Sequence, residues 1–331
     1  MNPSIAFNYF KRIYGEVTEL SKRTGYNRFY HLFDYLSAFL FHGVHIRQYV
    51  IGDMWRMSNP ERSRRITFYR MIKLEKKYNN PKYIHLLHNK RDFNEFFKEC
   101  IHRGWLFVGD ATYEEFKAFV EKYKSIIIKP IEGMKGDGVR KYVYNGEDDA
   151  ALNQLYTQLH QNNEVVEELI IQHPGMVFGN ASVNTIRVMT VCCPNGKAYV
   201  TKAILRAGVG DTLVDNYAMG GLIYEVDTEL GIVVTAGKTK EGDEHFIHPE
   251  TDIVMLGYRV PLWEKVKALC VQAAEKLPQV AFVGWDVAIT EDGVQMIEGN
   301  NSSEYEFYEY LGSSCYFEKI KALLEKNTPS R

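Results

Sequence analysis

The segment Phe282-Val-Gly-Trp-Asp-Val-Ala-Ile-Thr-Glu-Asp-Gly-Val-Gln-Met-Ile-Glu-Gly-Asn300 constrains this chain more than any other. Two apolar runs flank the turn sequence Glu291-Asp292-Gly293, which predicts a β-hairpin. With a three-residue loop and Gly293 left-handed, Thr290 faces Val294 and Asp286 stands directly opposite Glu298. Residues opposed in this way hold their Cβ atoms about 4.5–5.5 Å apart. Asn300, two residues on, shares that face because strand side chains alternate, and Ala288 and Met296 are expected beside it. Two facing carboxylates destabilise a bare hairpin, whereas a hard divalent cation with oxygen ligands reverses the sign. Asp286, Glu298 and Asn300 are therefore read as metal ligands in preference to a surface acid pair.

A second predicted hairpin spans 125–144. The strand Ser125-Ile-Ile-Ile-Lys-Pro130 leads to the tip Glu132-Gly-Met-Lys-Gly-Asp-Gly-Val139, and Arg140-Lys-Tyr-Val-Tyr144 returns. Gly133, Gly136 and Gly138 let the backbone approach a ligand and expose amides to phosphate oxygens, with Lys135 between them. No Gly-Lys-Ser/Thr opens a helix there, so this is not a Walker A loop. Lys129 ends an isoleucine run, where an ammonium is costly unless an anion meets it. Lys90, at an expected strand-to-helix junction, is a second cation of this kind. Val165-Val-Glu-Glu-Leu-Ile-Ile171 has the composition of a strand and linker offering backbone groups to a purine and Glu168 to a ribose, or of an edge strand with solvated glutamates. Arg187 lies within the apolar strand 182–192 and Arg206 ends the strand 197–206; their donor forks suit phosphate or carboxylate, with structural ion pairs as the competing reading. Asp215-Asn216 and Gly220-Gly221 form a polar turn suited to close approach of a substrate.

The chain has 331 residues, 45 % of them hydrophobic, enough for a sizeable core. Five cysteines without paired spacing support neither a disulfide framework nor a structural zinc site, which fits a reducing cytoplasm. The first residues lack signal-peptide character, and the apolar stretch 35–51 carries His42, His45 and Arg47, so no transmembrane segment is expected. Residues 1–80 carry 14 Lys and Arg against 6 Asp and Glu; the remainder carries 26 against 36. This basic segment suits an anionic sugar or a phospholipid surface. From Ile5 to Lys77 apolar residues recur at helical spacing. Asn79-Asn80-Pro81 breaks the pattern, Tyr83 to Leu87 reads as a short strand, Asp148 to about His160 as a helix, residues 221–226 as a strand and Trp263 to Leu277 as an amphipathic helix. Strands mixed with helices without regular βαβ alternation predict an α+β fold. The expected division is a helical region 1–80 and a domain 81–331, its two parts meeting near 164/165.

Taken in order, Lys129-Pro130 with its glycine loop, Gln172-His-Pro174, Asn184-Thr-Ile-Arg187, Asp215-Asn216, Gly220-Gly221, His248-Pro-Glu-Thr251, Gly284-Trp-Asp286 and Glu298-Gly-Asn300 make the chain resemble the ATP-grasp superfamily, and within it the sugar-transfer-associated branch. The resemblance covers roughly residues 84–325. It implies two α+β subdomains gripping ATP, with ATP and Mg²⁺, or Mn²⁺, as cofactors. Lys90 and Lys129 would hold phosphates under the 133–138 loop, and Glu168, Leu169 and Ile170 would hold adenine and ribose. Asp286, Glu298 and Asn300 would carry one or two magnesium ions. Arg187 would steady the transferred phosphoryl group, with Arg206 and Asn216 nearer the phosphates and carboxylate substrate. The helical first 80 residues depart from the Rossmann-like domain many ATP-grasp enzymes place there.

The implied activity is carboxylate–amine ligation through an acyl phosphate, releasing ADP and phosphate. The branch points to a uronic acid joined to an amino acid or amine in surface polysaccharide biosynthesis. Its partners would then be a small-molecule or glycan carboxylate and an amine, with peripheral contact to a membrane-linked glycan and no nucleic acid. A non-sugar amino-acid or peptide ligase and a kinase on the same fold are the alternatives; an amine requirement separates ligase from kinase.

Overall fold

The computed structural model describes residues 3–133, 137–179, 182–210, 221–239, 243–302, 311 and 316–327. It divides into two units: residues 1–79 with 193–195 and 302–331, and residues 80–192 with 196–301.

The first unit is helical, as the periodicity predicts. Its elements are α1 (Pro3–Thr24), α2 (Arg28–His42), α3 (Ile46–Ile51), α4 (Asn59–Ser63) and α5 (Phe68–Tyr78), with a further helix Tyr316–Lys326. Asn27 caps α2 by accepting from the Phe29 amide at 2.8 Å, and Gly43 ends it in the left-handed conformation, φ 67°. Ile13, Val17 and Leu20 of α1 pack on Tyr35 and Ala38 of α2 and on Ile46 and Tyr49 of α3. Inside this unit Arg62 is buried and grips Asp34 through Nη1 at 2.9 Å and Nη2 at 2.5 Å, while its Nε donates to the Met54 carbonyl. Tyr49 donates to the same carboxylate at 2.8 Å. Arg62, counted by charge among basic groups open to an anion, is thus a structural ion-pair partner, and neighbouring Arg64 pairs with Glu318 at 3.1 Å.

The second unit holds two antiparallel sheets. The smaller is ordered β1-β4-β2-β3 from β1 (Trp105–Phe107), β2 (Ser125–Pro130), β3 (Arg140–Val143) and β4 (Glu164–Glu168). The larger is ordered β11-β10-β5-β6-β7-β8-β9. It comprises β5 (Thr185–Cys192), β6 (Ala198–Ala207), β7 (Leu222–Val226), β8 (Gly237–Lys238), β9 (Glu244–His245), β10 (Phe282–Ile289) and β11 (Val294–Asn300). Helices α6 (His85–His88), α7 (Lys90–Phe96), α8 (Tyr113–Tyr123), α9 (Asp149–Gln161) and α10 (Trp263–Lys276) complete the unit. Mixed sheets and helices confirm the α+β class.

Residues 83–87, read as a strand, are helical instead. Asn80 accepts from the Lys82 amide and Pro81 opens a helical turn, so local capping overrides the apolar composition. The smaller sheet packs Ile126, Ile128 and Val166 on Phe116, Val120, Leu152 and Leu159 of α8 and α9. One face of the larger sheet, including Ile186, Val188, Leu205, Trp285 and Val287, packs on Val266, Cys270 and Ala273 of α10. The opposite face carries Arg187, Arg206 and Asp286.

Replacing Arg62 by Ala leaves the Asp34 carboxylate without its bidentate partner, and removal of one member of such a pair costs about 3–5 kcal/mol. Urea unfolding followed by far-UV dichroism should register a loss of that size in the helical unit.

Candidate nucleotide and metal site

The metal hairpin reaches the expected pairing by a different route. Ile289 pairs with Val294, so the loop is Thr290–Gly293, closed by the Thr290 amide on the Gly293 carbonyl at 2.8 Å. Gly293 has φ 159°, not the left-handed value expected of it. The register then shifts at Ile297, and beyond this bulge Asp286 pairs with Glu298. The extra residue also inverts the face of the earlier part of β11. Met296 therefore lies in the core with Val287 and Trp285, not beside the two acids as predicted.

Asp286 is buried and held by both arginines. Arg187 grips it through Nε and through Nη2, the latter at 2.9 Å, and Arg206 Nη1 reaches it at 2.8 Å. β5 supplies Arg187 opposite Asp286, and the next strand, β6, supplies Arg206. Burial pushes the Asp286 carboxyl up, but the two guanidinium groups outweigh it and hold the group below the usual carboxylate range. Glu298 moves the other way, raised first by desolvation in the crowded site and then by the Asp286 charge. Its side chain nevertheless stays open to solvent, and Asn300 donates to its Oε1 at 3.1 Å. Gly299 between Glu298 and Asn300 has a packing cause: a Cβ there would lie 2.8 Å from the Trp285 ring and 2.9 Å from Leu87.

Lys90 is the first residue of α7, with Asn89 as the N-cap, and its amide donates to the Ile131 carbonyl at the end of the glycine hairpin. Its ammonium pKa is lowered, first by desolvation and then by Lys129, against the charges of Glu298, Glu167 and Glu132. Both lysines and Glu298 therefore belong to one electrostatic site. Lys129, expected to find its counter-charge only in a ligand, already has one: its Nζ lies 2.6 Å from Glu167 Oε2. Glu167 is buried on β4 and also takes a two-point grip from buried Arg103, at 2.9 and 3.0 Å, and a hydrogen bond from Asn94. Arg103 Nη1 continues to the Met296 carbonyl of β11 at 2.7 Å, so this network joins the two sheets.

Glu168 is the adjacent acid, and its carboxylate accepts from the Gly104 amide at 2.9 Å. Leu169 and Ile170 are half-buried in the segment that leaves the smaller sheet, and His173 then bonds to Ile289 of the larger one. Gly133 and Gly138 flank the hairpin tip, and Gly138 has φ 72°, a left-handed value suited to glycine. Lys135, Gly136 and Asn216 lie outside the described residues, as do Asp215 and Gly220. Gln172, Asn184 and His248 serve as loop staples: Gln172 brackets Ser182 and Asn184, while Asn184 and His248 both bond to Gly208.

Sequence reasoning missed Arg103 and Glu167. Of the pair Glu167-Glu168 it selected Glu168, because only the pairing of β4 with β2, which are distant in sequence, places Glu167 beside Lys129.

Among the described residues no cluster of three His, Cys, Asp or Glu side chains could hold a metal ion. The donor set at the hairpin is two carboxylates and one amide, all oxygen donors, with a repulsion at Glu298 that a cation would relieve. These residues fit magnesium whose remaining ligands come from water and phosphate.

Because the Glu298 pKa is raised in the folded state, its penalty is absent in acid and grows as pH rises from the ordinary carboxylate range through the raised value. Glu298→Gln should match the wild type in acid and exceed its thermal stability at neutral pH in chelator. Magnesium with ADP should raise the melting temperature of the wild type and not of the variant. Arg103→Met, which leaves Glu167 with Lys129 and Asn94 alone, should cost about 3–5 kcal/mol in urea unfolding.

The sugar-transfer-associated ATP-grasp family model matches residues 69–323, and a search of curated proteins returned no match. Solved structures similar in fold include the ATP-grasp ligase PsnB complexed with minimal precursor, Mg and ADP, with TM-score 0.45, 17 % identity and coverage of 81 % of this chain and 69 % of that one. D-cycloserine synthetase DcsG gives 0.44, 11 %, 76 % and 74 %. D-alanyl-alanine synthetase A from Vibrio cholerae O1 biovar eltor str. N16961 gives 0.40, 14 %, 74 % and 68 %. With its family match running through both sheets and over well more than half its length, the chain belongs to the sugar-transfer-associated ATP-grasp family.

Proposed function

We propose that this protein is a carboxylate–amine ligase that activates its acid as an acyl phosphate and forms an amide in surface polysaccharide biosynthesis. Family membership makes it an ATP-dependent ligase working with ATP and magnesium. The observation that carries the finer reading is the Asp286–Glu298 pair, clamped by Arg187 and Arg206, within electrostatic reach of Lys90 and Lys129.

The charge balance supports a phosphoryl-transfer site. Lys90, Lys129, Arg103, Arg187 and Arg206 face Asp286, Glu298, Glu167 and Glu132, leaving a small positive surplus. A triphosphate exceeds that surplus, so a divalent ion held by Asp286, Glu298 and Asn300 supplies further neutralisation when bound. Lys90 and Lys129 hold the phosphates, with the glycine hairpin offering amides beside them. Glu168, Leu169 and Ile170 receive adenine and ribose. A substrate carboxylate oxygen attacks the γ-phosphorus and ADP departs; Arg187 and Arg206 stabilise the charge that develops on the transferred group. The amine then attacks the acyl carbon, loses a proton and expels phosphate.

A uronic acid joined to an amino acid or amine is the chemistry the family's association with sugar transfer suggests. Cys100, Cys192, Cys193 and Cys270 are buried thiols, which suits a reducing cytoplasm, where ATP is supplied.

Turnover over a matrix of uronic acids, amino acids and amines should yield ADP and phosphate only when acid and amine are both present. AMP and pyrophosphate would indicate an adenylate and overturn the acyl phosphate. Phosphorylated acid accumulating stably without any amine requirement would make the protein a kinase.

A further inference from the structure

α2 is apolar on two opposite faces. His31, Tyr35, Ala38 and His42 face the core of the helical unit. At 100° per residue, Phe29, Phe33 and Leu40 project on the other side of the helix, flanked by Tyr30 and Phe41. These five side chains are 49 to 75 % exposed. On α1 the core residues Ile13, Val17 and Leu20 likewise leave Phe7, Phe10 and Tyr14 outside, 52 to 70 % exposed. The Arg28 guanidinium ties the two helices' outer surfaces, donating to the Tyr14 hydroxyl at 2.7 Å and lying 5.1 Å from the Phe29 ring centroid. Tyr26 is exposed too and stacks on Tyr30 at 5.4 Å. An outward apolar face of this size on a surface helix marks a binding surface.

The charge around the patch selects the partner. Lys11, Arg12, Lys22, Arg23, Arg28 and Arg47 are all exposed; of these Lys22 pairs with Glu19, the only exposed acid among residues 7–47, and Arg23 with Asp53, which leaves Lys11, Arg12, Arg28 and Arg47 as a basic excess. A two-fold contact between copies would bring this basic rim against itself and be repelled. An anionic surface is attracted by it. Phenylalanine and leucine ringed by tyrosine and arginine match the boundary between acyl chains and headgroups, where apolar rings enter and polar tips stay wet. We propose that the α1–α2 surface docks the protein onto an anionic phospholipid bilayer.

The test uses the full chain and sedimentation with vesicles of phosphatidylcholine, with and without a third of phosphatidylglycerol. Binding should be at least about tenfold stronger to the anionic vesicles and weaken as salt rises, since each basic residue near such a surface contributes about 1 kcal/mol, roughly fivefold. Combined F29S, F33S, L40S and F41S should lower binding at least about tenfold while the circular dichroism and thermal melt stay unchanged, because these side chains lie away from the core. A second variant, K11E with R12E, should lose the preference for anionic lipid. Equal binding to both vesicle types, or full binding by the serine variant, would overturn the proposal. So would a dimer in analytical ultracentrifugation that the serine variant converts to monomer, since the face would then serve self-association.

Discussion

One buried carboxylate holds the second unit's two sheets in register. Glu167 on β4 accepts from Arg103 at two points and from Lys129, and Arg103 donates onward to the backbone of β11. A buried ion pair gains little over an apolar isostere on net stability, but breaking one is expensive. Its value here is geometric. The Arg103 guanidinium binds β4 through Glu167 and β11 through the Met296 carbonyl, and Glu167 in turn holds Lys129 of β2, so one planar group links the strand beside Lys129 to the strand that carries Glu298. Desolvation pushes the Glu167 carboxyl up and the two cations more than offset it, leaving it well below the usual range. Glu167 therefore keeps its charge, and with it the anion that Arg103 and Lys129 grip.

The second cluster is built on the opposite plan. Asp286 is kept ionised by Arg187 and Arg206, while Glu298 is pushed toward its protonated form by desolvation and by Asp286 itself. The pKa values of the two acids are thus driven apart, and a cation beside Glu298 would relieve the repulsion that raises it. Glu167 is thus held as a buried charge by its cations while Glu298 is set against another charge, although both are glutamates on sheets of the same unit.

Much of this was legible in the sequence because the evidence was local. Hydrophobic periodicity marked α1 to α5, the β2–β3 hairpin and α10, and turn chemistry marked the β10–β11 hairpin and its opposed acids. What failed was non-local or depended on parity. The strand assigned to 83–87 lost to the Asn80-Pro81 cap. Arg103 carries no periodic signal, and Glu167 gains its meaning from pairing with β2, where its partner Ile127 lies 40 residues earlier in the sequence. Helical spacing of apolar residues in α2 does not tell which of its two apolar faces is covered. Arg62 looked like open positive charge because its partner, Asp34, lies 28 residues away.

The bulge at Ile297 separates two tasks within one short strand. Before it, Val294 and Met296 anchor the hairpin in the core; after it, Glu298 and Asn300 face the opposite side of the sheet. The loop is thereby released from the task of setting the acids' register. Substitutions in Glu291-Asp292 alter a solvent-facing tip and leave the cation ligands where they are. Ile297 is the residue left over: without it Glu298 would follow Met296 directly and still stand opposite Asp286, so the bulge bends the strand without changing which residue Asp286 faces.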